Sequence, residues 1–187
     1  MTQNRPPILL LACCAPDATV AIERLSPDWE VTVFFYNPNI HPRAEYELRL
    51  AEMQKVAEAM QVPLIAGPYE DELWFATVRG LEGEPERGRR CHVCFRMRLE
   101  ATARQATELG VSVFTTTLTV SPHKDARTIF ALGQELAAQY GLEFLAANFK
   151  KQDGFKRSIE LSKALGLYRQ NYCGCLFSRR NHGVEEA

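Results

Sequence analysis

The chain lacks any apolar run approaching the ~20 residues that a membrane-spanning helix needs. It also lacks an excess of charge: 22 Lys and Arg stand against 23 Asp and Glu, a net charge of −1. Total charge therefore predicts no affinity for nucleic acid, and any such affinity has to come from local patches. A secretory leader is not expected either. "LLAC" (Leu10–Cys13) resembles a lipoprotein cleavage box, but only Arg5 supplies charge before it, Pro6 and Pro7 precede the apolar run, and just four aliphatic residues reach Ala12. A working signal has a basic start and an apolar region of ~7–15 residues. The expected compartment is cytoplasmic and reducing, which argues against structural disulfides. Finally, the loop after the first apolar run reads Cys-Cys-Ala-Pro-Asp-Ala, with no glycine and too few free amides to cradle ATP phosphates.

What is present fits one domain spanning 1–187, with 46% hydrophobic and 24% charged residues. Short β-branched and aromatic runs alternate with amphipathic stretches. Ile8–Ala12, Glu30–Asn37, Val62–Gly67, Val111–Thr119 and Leu142–Asn148 read as strands. Helices follow at "DATVAIERL" with Asp17 as cap, at "PRAEYELRLAEMQKVAEAM" with proline in its first turn, and from about Lys124 to Tyr140. This alternation implies an α/β fold: an open, mostly parallel five-stranded sheet with helices on both faces. Between strands three and four lies an insertion of about 69–110, with a Gly/Pro/charge-rich middle expected as a flexible lid and then a helix. A helix and a cysteine-bearing loop at about 168–180 end the pattern.

Six cysteines fall in three close pairs: Cys13-Cys14, Cys91-x-x-Cys94 and Cys173-x-Cys175. The first pair ends strand one, where an open α/β sheet builds its ligand crevice. The second opens a helix, whose amides and dipole favour thiolates. The third flanks Gly174, which permits a tight turn. Four thiolates close a zinc site and six overfill it; a thioredoxin-like couple at Cys91/Cys94 leaves four idle. Six soft ligands suit iron–sulfur chemistry: four for a cubane and two for a second metal. Asp17, three residues past Cys14, is a hard ligand suited to a lone ferrous ion as well as a helix cap.

"CCAPD", "FFYNPNIHPRAEYELR", "RCHVCFRMRLEATA", "FTTTLTVSPHKD" and "YCGC" occur in this order, and the chain from about Ile8 to Ser178 resembles the QueH-type epoxyqueuosine reductases. The resemblance implies an adenine-nucleotide hydrolase-like fold, akin to the PP-loop (HUP-like) proteins. It implies reduction of the epoxide of epoxyqueuosine at the wobble position of tRNA to queuosine, without cobalamin, using a [4Fe-4S] cluster and an additional mononuclear iron. The ligands it implies are Cys13, Cys14, Cys91, Cys94, Cys173 and Cys175 with Asp17, and the electrons come from an external donor. Which thiol serves which metal stays open at this point.

Proton donors are expected from "NPNIHPRAEY": His41, which titrates near neutrality, and Tyr46, one helical turn from Arg49. Arg87, Arg89 and Arg90, Lys150 and Lys151, and Arg179 and Arg180 form basic runs suited to tRNA phosphates. Tyr168, Tyr172 or Phe177 is expected to stack on an extruded base. Two other readings fit parts of the pattern: a PP-loop-like tRNA sulfurtransferase, which the glycine-free loop disfavours, and a non-catalytic iron–sulfur electron-transfer protein.

Overall fold

A computed structural model describes residues 5–180. β1 (Pro7–Leu11), β2 (Glu30–Phe35), β3 (Leu64–Ala66), β4 (Val113–Thr116) and β5 (Glu143–Phe144) pair in parallel, in the order β3-β2-β1-β4-β5. β1 is central. Its Ile8 and Leu10 pack into one core, while Leu9 and Leu11 pack into a second core on the other face. Burial on both faces is why β1 reads as a continuous apolar run instead of an alternating one.

The first core lies under α1 (Ala15–Leu25) and α2 (Arg43–Ala59), with Leu161 of α6 (Gly154–Ala164) packed against it. The second lies under α4 (Arg89–Glu108) and α5 (Ala126–Tyr140). Helices thus cover both faces, as the sequence pattern implies. The insertion supplies α3 (Asp71–Thr77), a run of turns, and α4; α7 (Leu176–Arg180) follows the last cysteine pair.

Several boundaries differ from the sequence reading, and side chains explain them. β2 stops at Phe35, and Asn37 leaves the ladder to donate its Nδ2 to the Ala12 carbonyl at 2.9 Å. β4 stops at Thr116, whose hydroxyl accepts from the Leu118 amide and starts a 3-10 turn over Thr117–Thr119. β5 keeps only two residues, because the Thr115 and Thr119 hydroxyls take up the Leu145 and Ala147 carbonyls at 2.8 Å. Pro42 is the cap of α2 and not part of its first turn. Asp17 is no cap either: Cys14 takes that position, and Asp17 lies inside the first turn of α1. The middle of the insertion folds into turns around Arg90, whose guanidinium donates to the carbonyls of Leu81, Glu82 and Glu84.

Candidate metal centre and cavity

The strand order reverses between β1 and β4, so the carboxyl ends of these two strands open on a crevice. Cys13 and Cys14 follow β1 there, and Thr117 follows β4. The Thr117 hydroxyl accepts from the Cys13 amide at 3.0 Å and donates to Cys13 Sγ at 3.2 Å, locking that thiol in place. Cys14 has extended backbone (φ −164°), and Pro16 fits the first helical turn where no amide bond is required. The turn that follows brings Asp17, four residues on, beside the Cys13 sulfur.

Cys13 Sγ lies 3.9 Å from Cys14 Sγ and 3.5 Å from Asp17 Oδ2. Ligand atoms of all three residues fall within 4.8 Å of one another, and all three residues are buried. Two thiolates on one tetrahedral ion with metal–sulfur bonds of about 2.3 Å sit ~3.8 Å apart. The two sulfurs already stand at that spacing. A hydrogen bond from Cys14, with the charges of Lys124 and Arg98, pulls the Cys13 thiol well below its ordinary pKa. The same contact, reinforced by burial and by Asp17, pushes Cys14 up. Burial, then the negative charge of Cys13, raises Asp17 to about 8. Closely packed ionisable donors that oppose one another's charge form a place where a cation relieves the repulsion.

The other four thiols form a second group. None of the six is in a disulfide. Cys91 and Cys94 lie one turn apart at the start of α4, and both feel the charges of Cys173 and Cys175. Backbone amides donate to two of these sulfurs: Arg87 N to Cys91 Sγ and Ser178 N to Cys175 Sγ, each at 3.3 Å. Such N–H···S bonds surround thiolates that ligate clusters. Burial raises the thiols of Cys91, Cys94 (to about 12) and Cys173 in the metal-free protein. The Cys-Gly-Cys turn is held rigidly. Gly174 has φ +128°, where a Cβ would strike Ile40 at 2.9 Å. Buried Arg49 donates to the carbonyls of Tyr172 and Cys173, and Tyr172 donates its hydroxyl to the His41 carbonyl at 2.6 Å.

A cavity of about 240 Å³ stands over these groups. Its lining includes Cys13, Asp17 and Cys173 with Arg98, Lys124 and Arg169. It thus brings together predicted ligands from the first and third pairs. His41 is elsewhere: it stacks on Phe75 with ring centroids 4.5 Å apart and lies 5.0 Å from Trp74, and neither ring nitrogen has a hydrogen-bond partner. Burial drives its pKa down to about 4, outweighing the pull of Asp71 and of the nearby Pro38 backbone, whose approach to the ring falls short of a well-formed hydrogen bond. Tyr46 also turns away, its hydroxyl 3.4 Å from the Gly67 carbonyl that it donates to. Arg90 is buried inside the insertion, over the Phe177 ring, so its guanidinium faces protein and not solvent. Arg87, Arg89 and Lys151 are exposed, while Lys150 donates to the Lys124 carbonyl and Arg179 is half-buried. The side chain of Arg180 lies outside the described residues. Tyr172 is buried, Phe177 packs against Arg90, and Tyr168 donates towards Glu45. Of the three, Tyr172 lines the cavity, with Arg49 5.0 Å from its ring, whereas Tyr168 and Phe177 do not line it. The exposed aromatic that does line the cavity is Phe155, with Arg169 5.9 Å from its ring.

Sequence reasoning passed over Lys124, Thr117 and Asn39. Lys124 sits in "SPHKD" and Thr117 in "FTTTLT", both just after β4 and so at the switch point; the strand order was the signal that placed them.

A parallel α/β sheet with thiols and a carboxylate gathered at its switch point defines a class, the α/β proteins that carry a candidate metal centre at the strand ends. Within that class, the chain belongs to the epoxyqueuosine reductase QueH family, a family of oxidoreductases, whose model matches residues 8–181. Relatives called epoxyqueuosine reductase QueH share 40% identity over 187 residues in Streptococcus pyogenes serotype M1, covering 97% of this chain and 73% of that protein. The Haemophilus influenzae relative is 41% identical over 176 residues, covering 93% and 72%. The Thermotoga maritima relative is 38% identical over 174 residues, covering 91% and 89%.

Proposed function

We propose that the protein reduces the epoxide of epoxyqueuosine, carried at the wobble position of tRNA, to the cyclopentene of queuosine. The overall change takes two electrons and two protons and releases the epoxide oxygen as water. The observation that carries the reading is that Cys13 and Asp17, gathered with Cys14, line one cationic cavity with Cys173, in a chain of this family.

The donor set fits the metals that the family resemblance implies. Cys91, Cys94, Cys173 and Cys175, with amide-to-sulfur hydrogen bonds, would hold a [4Fe-4S] cluster; Cys13, Cys14 and Asp17 would hold the additional iron. Bound there, the cluster supplies electrons singly and the lone iron a Lewis acid. The chain's own groups do the rest. Thr117 fixes the Cys13 sulfur. Lys124 lines the cavity, and although burial opposes its charge, the acidic groups around it, Cys13 first, favour its ammonium form. Its ammonium would donate a hydrogen bond to the epoxide oxygen as negative charge develops there. Arg98 is fixed by Asn37 Oδ1 at 2.5 Å and contributes positive charge without moving. Phe155 at the cavity wall would stack on an unpaired base, and exposed Lys151, Lys156 and Arg87 would meet phosphates. Six free thiols fit the reducing cytoplasm, where tRNA is found and an external donor supplies electrons.

The test is turnover. Protein loaded with iron and sulfide without oxygen, then reduced, is incubated with tRNA bearing epoxyqueuosine, and the nucleosides are read by mass spectrometry. Queuosine should form without ATP or cobalamin. An intact epoxide on competent tRNA would overturn the reading in favour of an electron-transfer protein, and an ATP requirement would favour a sulfurtransferase.

A further inference from the structure

We propose that Asn39, with Gln170 of the same cavity, recognises the hydroxyl-bearing ring of the substrate, so that these two amides set specificity for the ring. This rests on the reading that epoxyqueuosine in tRNA is the substrate.

Two asparagines of the β2–α2 loop line the cavity, and they differ in one respect. Asn37 is fully engaged: its Nδ2 donates to the Ala12 carbonyl at 2.9 Å and its Oδ1 accepts from Arg98 at 2.5 Å. Asn39 is only 1% exposed, yet its Oδ1 has no hydrogen-bond partner. Its Nδ2 end lies against Gly174, about 3.5 Å from where a Cβ would stand. Gln170, from the segment between α6 and the last cysteines, lines the same cavity, and its Oε1 is likewise buried without a partner. Buried amide oxygens ordinarily find donors, and leaving them unpaired is costly. Two such oxygens from separate segments, in one cavity, call for a ligand that brings hydrogen-bond donors to both.

That requirement selects among the parts of a nucleotide. A phosphate offers only acceptors and would be repelled by both amide oxygens. The ring of epoxyqueuosine carries hydroxyls beside the epoxide and an N–H link to the base, which are the donors needed. The ring therefore enters between Asn39 and Gln170, close to Cys13 and Asp17, while the phosphates stay outside with the exposed lysines.

Binding decides this without turnover. Iron-loaded protein is titrated with two tRNAs: one bearing queuosine, whose ring is complete and unreactive, and one whose wobble base ends at an aminomethyl group and has no ring. The wild-type protein should bind the ring-bearing tRNA roughly tenfold more tightly. Asn39→Ala should bring the two affinities within about twofold, with iron content and Tm unchanged. Retention of the full preference by Asn39→Ala, or its absence in the wild type, would overturn the proposal. If Asn39→Ala loses its iron, Gln170→Met decides: a reduced preference supports the proposal and an unchanged one refutes it. Failure of the functional reading looks different, since the epoxide would then stay intact while the ring preference persisted.

Discussion

Asp17 and His41 illustrate how differently two titratable residues from quoted motifs can be used. Asp17 faces the thiols, with its carboxylate 3.5 Å from Cys13 Sγ. If the proposed assignment holds, Asp17→Ala should retain a cluster's absorption but lose about one iron per chain and nearly all turnover. A change in stability alone, with iron and rate intact, is what a purely structural place in the first turn of α1 would give; iron analysis beside the assay separates the two. His41 is buried neutral among rings, so His41→Phe should keep the iron and most of the activity. The unfolded chain binds a proton at this residue near pH 6.5, whereas the folded chain does so only near 4. Stability is thus fully present above about pH 6.5 and is lost as pH falls towards 4, by at most ~1.4 kcal/mol per unit. Asp71 is the charged group acting on the ring, and the backbone of His41 accepts from Tyr172 and donates to Gly174. Melting curves across this range should show a shallower fall for His41→Phe than for the wild type. A parallel fall, or lost turnover, would restore His41 as a titrating participant.

Among the elements, the strands and helices were legible because their apolar spacing is dictated by burial on two faces of one sheet. Their ends were not, since hydroxyls and amides decided them: Thr116 turns β4 into a 3-10 turn, and Thr115 and Thr119 take the carbonyls that would extend β5. The candidate metal ligands stood out as pairs because thiols are scarce and chemically distinctive, and the structure gathers Cys13, Cys14 and Asp17 within 4.8 Å of one another. Asn39 and Lys124 did not stand out, as an amide or an ammonium in a loop carries no pattern until the strand order brings it to the crevice. Arg90 shows the same limit. It sits among arginines that read as a phosphate patch, yet its guanidinium is the core around which residues 78–88 turn. Arg90→Met should leave three carbonyls without their donor and weaken this segment by about 1–3 kcal/mol. Limited proteolysis should then cut between residues 81 and 88 several-fold faster, with a smaller change in global Tm. Because Arg87 N donates to Cys91 Sγ, the loosened segment should also release cluster iron sooner under chelation. Unchanged cleavage would show that the turns hold without Arg90.

At the scale of the whole molecule, the proposed capture of a polyanion has to be squared with a net charge of −1. The location of the basic groups offers a way. Arg96 and Arg157 are paired with Glu135 and with Glu23 and Glu160, and Arg90 and Arg98 are buried, which removes them from any phosphate contact. Near the cavity, exposed Arg87, Arg89, Lys151 and Lys156 are available, from the turns beside Cys91 and the start of α6, two of the segments that border it. Three or four phosphate contacts of this kind release counterions with a log–log salt slope of about −2 to −3, at ~0.7 per contact for a single-stranded loop. Binding of tRNA should therefore weaken roughly thirty-fold between 50 and 200 mM salt. Lys151→Glu should lower affinity and flatten the slope by ~0.7 or somewhat more, without altering iron content. The same substitution at Lys163, far along α6 from the cavity, should leave the slope alone. Equal effects at the two lysines would mean that tRNA is attracted by general charge and not by the cavity rim, and a flat salt response in the wild type would mean that phosphates are not held at all.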